Sequence, residues 1–390
     1  MPIDLYAAER VFSESVDGTV GLEEEFGVLD PETLSLAPRF EELRDSAPDA
    51  LAQRITGELI KSEIEIVSGR GEDLADALGR QREARRLLFA HAAANGAALG
   101  ASGTHPWSDF REQTFIDTEH YRRVSDSLRY VAKRNNTFSL HVHVGVNGLD
   151  RAIKVCDRLR AVLPPLLALS ASSPFVDAID SGLHSARTQI FTKSFPRCGV
   201  PDAFGGWDAF RSYLELLIAS ESIVEYTQVW WSVRPHLSFG TVEVRISDVQ
   251  PTAAESDALA TLIVGCVLAA ARDIDAGVPH VDPAPRLVEE NMWRAIRHGM
   301  DGTQIDLTTG AVQPARATIE RLMAWAGVDV ALPELNGAQR QRRLVDAGVP
   351  IQEIYAQLVE ETRASYSASQ VRRAPSERER ALNYQRGMVE

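Results

Sequence analysis

Four stretches of the chain alternate apolar and polar residues with period two, the pattern of strands with one buried face. Thr19 to Leu29 sets Leu22, Phe26 and Val28 on one side and Gly21, Glu23 and Glu25 on the other, with Glu24 breaking the apolar side. Ile60 to Val67 opposes Ile60, Ile64 and Ile66 to Lys61, Glu63 and Glu65. Phe138 to Val146 alternates most cleanly, with Ser139, His141, His143 and Gly145 between its apolar residues. Thr241 to Ser247 turns Val242, Val244 and Ile246 inward and Thr241, Glu243 and Arg245 outward. A further strand is expected within Gln228 to His236, joined to the fourth by a turn at Leu237 to Gly240.

Between the strands, apolar residues recur at three- and four-residue spacing, as in Asp73 to Ala98, and predict helices. The others are Asp109 to Arg134, Asp150 to Ser170 with an interruption at Pro164 and Pro165, Trp207 to Val224, Ala253 to Ile274, Pro285 to His298, Ala315 to Trp325, and Gln339 to Ala364 broken near Pro350. Short connections between strands favour antiparallel or mixed pairing. The expected fold class is α+β, one sheet with helices packed on its apolar face. There is no internal repeat and no low-complexity linker, so residues 1–390 read as a single domain, with a charged tail at 366–390 that is docked or frayed.

Composition narrows the function. The 41 Lys+Arg against 55 Asp+Glu give a net charge of −14, the wrong sign for a nucleic-acid binder or a polybasic membrane anchor. Hydrophobic residues at 44% supply an ordinary core. Three scattered cysteines make neither a disulfide framework nor a Cys-rich zinc site. The apolar run Ala258 to Ala271 is 14 residues long, short of the ~20 needed to span a bilayer, and reads as a core helix. MPIDLYAAER carries no apolar targeting segment, so a cytoplasmic location is expected.

The polar faces carry the chemistry. They present Glu23 and Glu25, Glu63 and Glu65, His141 and His143, and Glu243 and Arg245. Gathered in one sheet, such carboxylates repel unless protons, arginines or a divalent cation neutralise them. Oxygen-rich ligation with an imidazole suits Mg²⁺ or Mn²⁺ better than zinc, and the arginines add a place for phosphate.

These same residues carry a resemblance. Val20-Gly21-Leu22-Glu23-Glu24-Glu25-Phe26, Glu58-Leu59 followed by Ser62 and Glu65, and Ala101-Ser102-Gly103-Thr104-His105-Pro106 are similar to successive blocks of the glutamate–cysteine ligase type 2 family of carboxylate–amine ligases. So are Leu140 to Val146 (LHVHVGV), Ala168 to Phe175 (ALSASSPF) with Arg187 downstream, Trp231 to Pro235 with Phe239 to Arg245, and Asn291 to Ala295. The resemblance implies a glutamine-synthetase-like fold, a curved and mainly antiparallel sheet cradling ATP and divalent metal. It implies Glu23, Glu25, Glu65, His141 and Glu243 as metal ligands, with Glu58 and Glu63 behind them. Arg245, Arg234 and His143 would face the transferred phosphate, the two arginines serving catalysis, and Arg187 would hold a substrate carboxylate. ATP with Mg²⁺, or Mn²⁺, would activate an acid for attack by an amine, both small molecules such as amino acids, as in joining glutamate to cysteine. A homodimer is also implied.

Three rivals share these residues: a phosphotransferase of guanidino-kinase type, a metal-dependent hydrolase built on His-x-His, and a non-catalytic nucleotide- or metal-binding descendant. Elsewhere, His105 reads as a strand-end cap, and one of Trp230 and Trp231 as core. His184 and the segment Gly199 to Gly206 read as mobile loop and lid.

Overall fold

The computed structural model describes residues 5–367. Of the tail expected at 366–390, everything from residue 368 onward lies outside the described residues. Seven strands form one sheet: β1 (Val20–Leu29), β2 (Ile55–Thr56), β3 (Glu63–Val67), β4 (Ala98–Gly100), β5 (Ser139–Gly145), β6 (Val233–His236) and β7 (Thr241–Asp248). Their order is β6-β7-β5-β1-β3-β2, with β4 also paired to β1, and every pairing is antiparallel. All four alternating stretches thus become neighbours in one sheet. Leu22, Val142, Val144, Val242 and Val244 from its centre enter one continuous core.

Twelve helices of eight residues or more are described: α1 (Leu5–Ser13), α2 (Leu74–Ala94), α3 (Glu119–Leu128), α4 (Leu149–Leu159), α5 (Leu163–Ser170), α6 (Ala186–Ser194), α7 (Trp207–Ala219), α8 (Ala253–Asp275), α9 (Pro285–His298), α10 (Ala315–Ala326), α11 (Gly337–Asp346) and α12 (Ile351–Ser367). α4, α5 and α8 cover the apolar face of the sheet. α8 is long and apolar enough to cross a membrane by length and composition, but most of it is buried inside the protein. Side-chain caps fix the starts of several helices: Asp73 accepts from Asp76 N at the head of α2, Thr252 from Glu255 N at α8, and Ser185 from Thr188 N at α6.

The helix expected over Asp109 to Arg134 is instead broken. Backbone bonds Lys61 N to Thr114 O and Ile116 N to Leu59 O draw residues 114–116 out as an extended segment beside 59–61. Only then does Thr118 cap α3. The interruption within Asp150 to Ser170 falls before the prolines, which occupy the first turn of α5, where a missing N–H removes no helical bond. The strand expected within Gln228 to His236 splits into Trp230–Trp231, paired with Cys198–Gly199, and β6.

Two expected mobile segments are held in place. Phe204 N and Gly205 N donate to the Asp157 carboxylate at 3.0 and 2.7 Å, and Arg160 Nε donates to Pro201 O at 2.8 Å, so residues 199–206 are fastened to α4 and the turn after it. His184 is buried, with its N–H on Ile296 O at 2.7 Å and its ring against Gly299.

Candidate active site

Pairing register brings the acids together. Glu23 lies opposite His141, Glu25 opposite Glu65, and Glu243 opposite both His143 and Arg234. Directly paired residues share a face of a sheet, so these seven side chains meet on the side away from α4, α5 and α8. Three adjoining chambers run along that face. The largest, about 730 Å³, has Val20, Val67 and the exposed Phe239 in its walls and reaches Glu23, Glu65 and His143. Glu23, Glu65 and His143 also line a central chamber of about 220 Å³ containing His141, Glu243 and Arg245. Arg245, Glu58, Tyr121 and Trp230 then line a third of about 100 Å³, where Glu25, Ser139 and Arg187 are found.

The charges are arranged in pairs. Glu23 sits 3.0 Å from His141 Nδ1 and 3.1 Å from His143 Nε2. Burial works against its charge, but the two imidazoles outweigh burial and hold the carboxyl well below the usual carboxylate range. Glu243 is also buried, and Arg234, Arg245 and His143 hold it well below that range too. Arg234 Nε donates to Glu243 Oε2 at 2.6 Å, and Arg245 Nη1 donates to Glu243 Oε1. Glu25 accepts from Ser139 N at 2.6 Å and Ser139 Oγ at 2.5 Å. The remaining acids lack such partners. Burial and then Glu25 push Glu58 up to about 8; burial and the neighbouring acids raise Glu63 and Glu65 well above the carboxylate range. Burial and the nearby Arg245 depress His141, favouring neutral imidazole, the form that ligates metal.

This donor set fits divalent cations. Glu23, His141 and Glu243 each offer a ligand atom within 4.8 Å of the others, and so do Glu25, Glu65 and His141. A dication there would neutralise acids that otherwise must hold protons.

The remaining expected residues fall as follows. Arg234 lines the central chamber, but its guanidinium is already engaged by Glu243 and by the carbonyls of Thr227 and Val229, at 3.0 and 2.6 Å. Arg245 keeps an unpartnered Nε. Arg187 is buried; its Nη atoms donate to Ile246 O and Arg245 O while Nε has no partner. Glu58 lines the central and third chambers. His105 is structural: Nε2 bonds Leu34 O, and Nδ1 accepts from Trp107 N and Ser108 N. Trp231 is core and Trp230 lines the site. Among the lining residues that the sequence left unnamed are His120 and Tyr121 of α3, in a segment whose helical pattern gave no hint that one face would cover a sheet.

The antiparallel sheet with acids, imidazoles and arginines on one face and helices on the other has the glutamine-synthetase-like fold of its structural neighbours, and the family match sets the class, that of the ATP-dependent carboxylate–amine ligases. Within it, the chain belongs to glutamate–cysteine ligase family 2 (GCS2), whose sequence profile matches residues 19–371. A Rubrobacter xylanophilus relative is 35% identical over 362 residues, covering 90% of this chain and 94% of that protein. The glutamate–cysteine ligase of Halobacterium salinarum is 34% identical over 347 residues, covering 86% and 95%. Among solved structures, the fold is similar to that of glutamate–cysteine ligase (gshA) from Francisella tularensis in complex with AMP, with a TM-score of 0.66, 11% identity, and 96% of this chain and 93% of that one covered.

Proposed function

We propose that the chain uses ATP and Mg²⁺, with Mn²⁺ as a substitute, to join the γ-carboxylate of glutamate to the amine of cysteine, as a soluble cytoplasmic enzyme. The observation that carries this reading is the row of chambers on one sheet face, acid-lined at its centre and bounded beyond it by an arginine with a free Nε. The large apolar-walled chamber takes the nucleoside, the central one the phosphates, and the third the acid.

A carboxylate is a poor electrophile because its charge repels the amine and oxide does not leave. A carboxylate oxygen therefore attacks the γ-phosphorus, the bond to ADP breaks, and an acyl phosphate forms. The amine nitrogen then attacks the acyl carbon, phosphate departs with the C–O electron pair, and the nitrogen gives up a proton to leave an amide. Divalent cations held by Glu23, Glu25, Glu65, His141 and Glu243 would supply Lewis-acid neutralisation of the phosphate oxygens. Arg245 faces the same oxygens through its free Nε, while Arg234 keeps Glu243 ionised and oriented. His143 stands where the large and central chambers meet and binds the polyphosphate. Arg187 Nε receives the substrate carboxylate. Tyr121 and Trp230 shield the labile acyl phosphate from water.

The test is ADP release from Mg-ATP with glutamate, with and without cysteine, followed by the mass of the product. ADP release that depends on both substrates, with a product heavier than glutamate by cysteine minus water, is expected. A stable phosphorylated product would mark a phosphotransferase, and turnover without ATP a hydrolase; either would overturn the reading.

A further inference from the structure

Arg187 is aimed by a residue that the chemistry above does not use. Asp248, the last residue of β7, is fully buried. Its Oδ2 accepts from Ser172 N at 2.8 Å and Ser173 Oγ at 2.7 Å, and its Oδ1 accepts from Ser185 Oγ at 2.9 Å. Each donor belongs to a piece of chain that sets Arg187. Ser173 Oγ in turn accepts from Arg187 N at 3.2 Å, and Ser185 is the cap of α6, two residues before Arg187. The guanidinium Nη1 lies 3.7 Å from Asp248 Oδ1, close enough for a buried charge to offset a buried charge.

The guanidinium is then fixed in plane by Ile246 O at 3.1 Å and Arg245 O at 3.2 Å, both on the strand that Asp248 ends. With those donors committed, Nε is the N–H left without a partner, on a side chain that lines the third chamber. There is no slack around the carboxylate: a Cβ added at Gly103 would stand 2.7 Å from Asp248 Cγ. A buried acid that only satisfied the loop at Ser172 and Ser173 would need their two bonds alone. This one also binds the cap of the helix that carries Arg187, and it faces the guanidinium.

We propose that Asp248 is the positioning residue that orients Arg187 toward the substrate carboxylate, an inference that rests on Arg187 being that carboxylate's anchor. It predicts a specific kinetic split, because a misaimed anchor weakens capture of the acid while leaving the nucleotide chamber untouched.

The experiment measures KM for L-glutamate and for ATP by ADP release at saturating cysteine, in Asp248→Asn, Arg187→Ala and the double variant. Asp248→Asn is expected to raise the glutamate KM about 10- to 100-fold, with the ATP KM within about twofold of wild type. The double variant is expected to match Arg187→Ala, since both changes act through one group. If Asp248→Asn does not fold, Ser173→Ala, which removes the link between Asp248 and the Arg187 backbone, is expected to raise the glutamate KM alone in the same direction. An Arg187→Ala effect without a rise in glutamate KM from either other variant overturns the role of Asp248 and leaves that of Arg187. A glutamate KM unchanged in Arg187→Ala overturns both. Variants of Asp248 or Ser173 that lower melting temperature and kcat with both KM values unchanged assign Asp248 to the fold alone.

Discussion

Glu243 is a buried carboxylate between two guanidinium groups, and the balance of those charges decides what it can do. Arg234 is committed to it and to two backbone carbonyls, so Glu243 stays ionised in a place where burial alone would neutralise it. Glu243→Gln keeps the shape and removes the charge; it is expected to lower kcat about 100-fold or more while melting at a temperature close to wild type, and activity within a few-fold of wild type would contradict its place among the ligands. The alternation of the sequence made this face legible, since Glu23, Glu25, Glu65, His141 and Glu243 all sit at out-facing positions of strands. Glu58 was harder to place. It precedes β3 and has no period to assign it a face, so only the fold shows that it enters the chambers.

At the scale of elements, one break in the pattern marks how α2 is fastened to the sheet. Glu24 interrupts the apolar side of β1 because it meets Arg85 of α2 there, at 2.6 and 2.8 Å, with Ser256 and Gln81 completing its bonds. Partners 61 and 232 residues away cannot be read from local spacing. Arg85→Ala would leave Glu24 buried without its counter-charge, and is expected to cost about 3–5 kcal/mol in urea unfolding; a loss under about 1 kcal/mol would show the pair to be dispensable. Long, strongly periodic elements such as α8 and α9 follow their sequence patterns nearly residue for residue. The short α6, which carries Arg187, escaped notice because a nine-residue segment has no long apolar stripe to reveal it. The helix expected at Asp109 to Arg134 failed for a tertiary reason, the pairing of residues 114–116 with 59–61.

Across the whole molecule, the concentration of acids links stability to pH and to metal. Glu58 has a folded pKa of about 8 against an ordinary 4.5, so the native state holds a proton that the unfolded chain has released. Its penalty on folding is absent below about pH 4.5, grows as pH rises, and is complete above about 8. Glu63 and Glu65 shift the same way through burial and mutual repulsion, and His143, raised once Glu23 and Glu243 outweigh its burial, loses its stabilising charge as pH rises through its folded value. Without divalent cation, the melting temperature is therefore expected to fall between pH 7 and 9, and Mg²⁺ to restore it more at pH 9 than at pH 7; a flat profile untouched by Mg²⁺ would contradict this. The measurement that tests the site most directly is an anomalous difference map from crystals soaked in Mn²⁺ and a non-hydrolysable ATP analogue. Peaks are expected within ligand distance of Glu23, His141 and Glu243, and of Glu25 and Glu65. Ordered nucleotide with no Mn²⁺ at these side chains would contradict the assignment of this sheet face as the metal-dependent centre of a ligase.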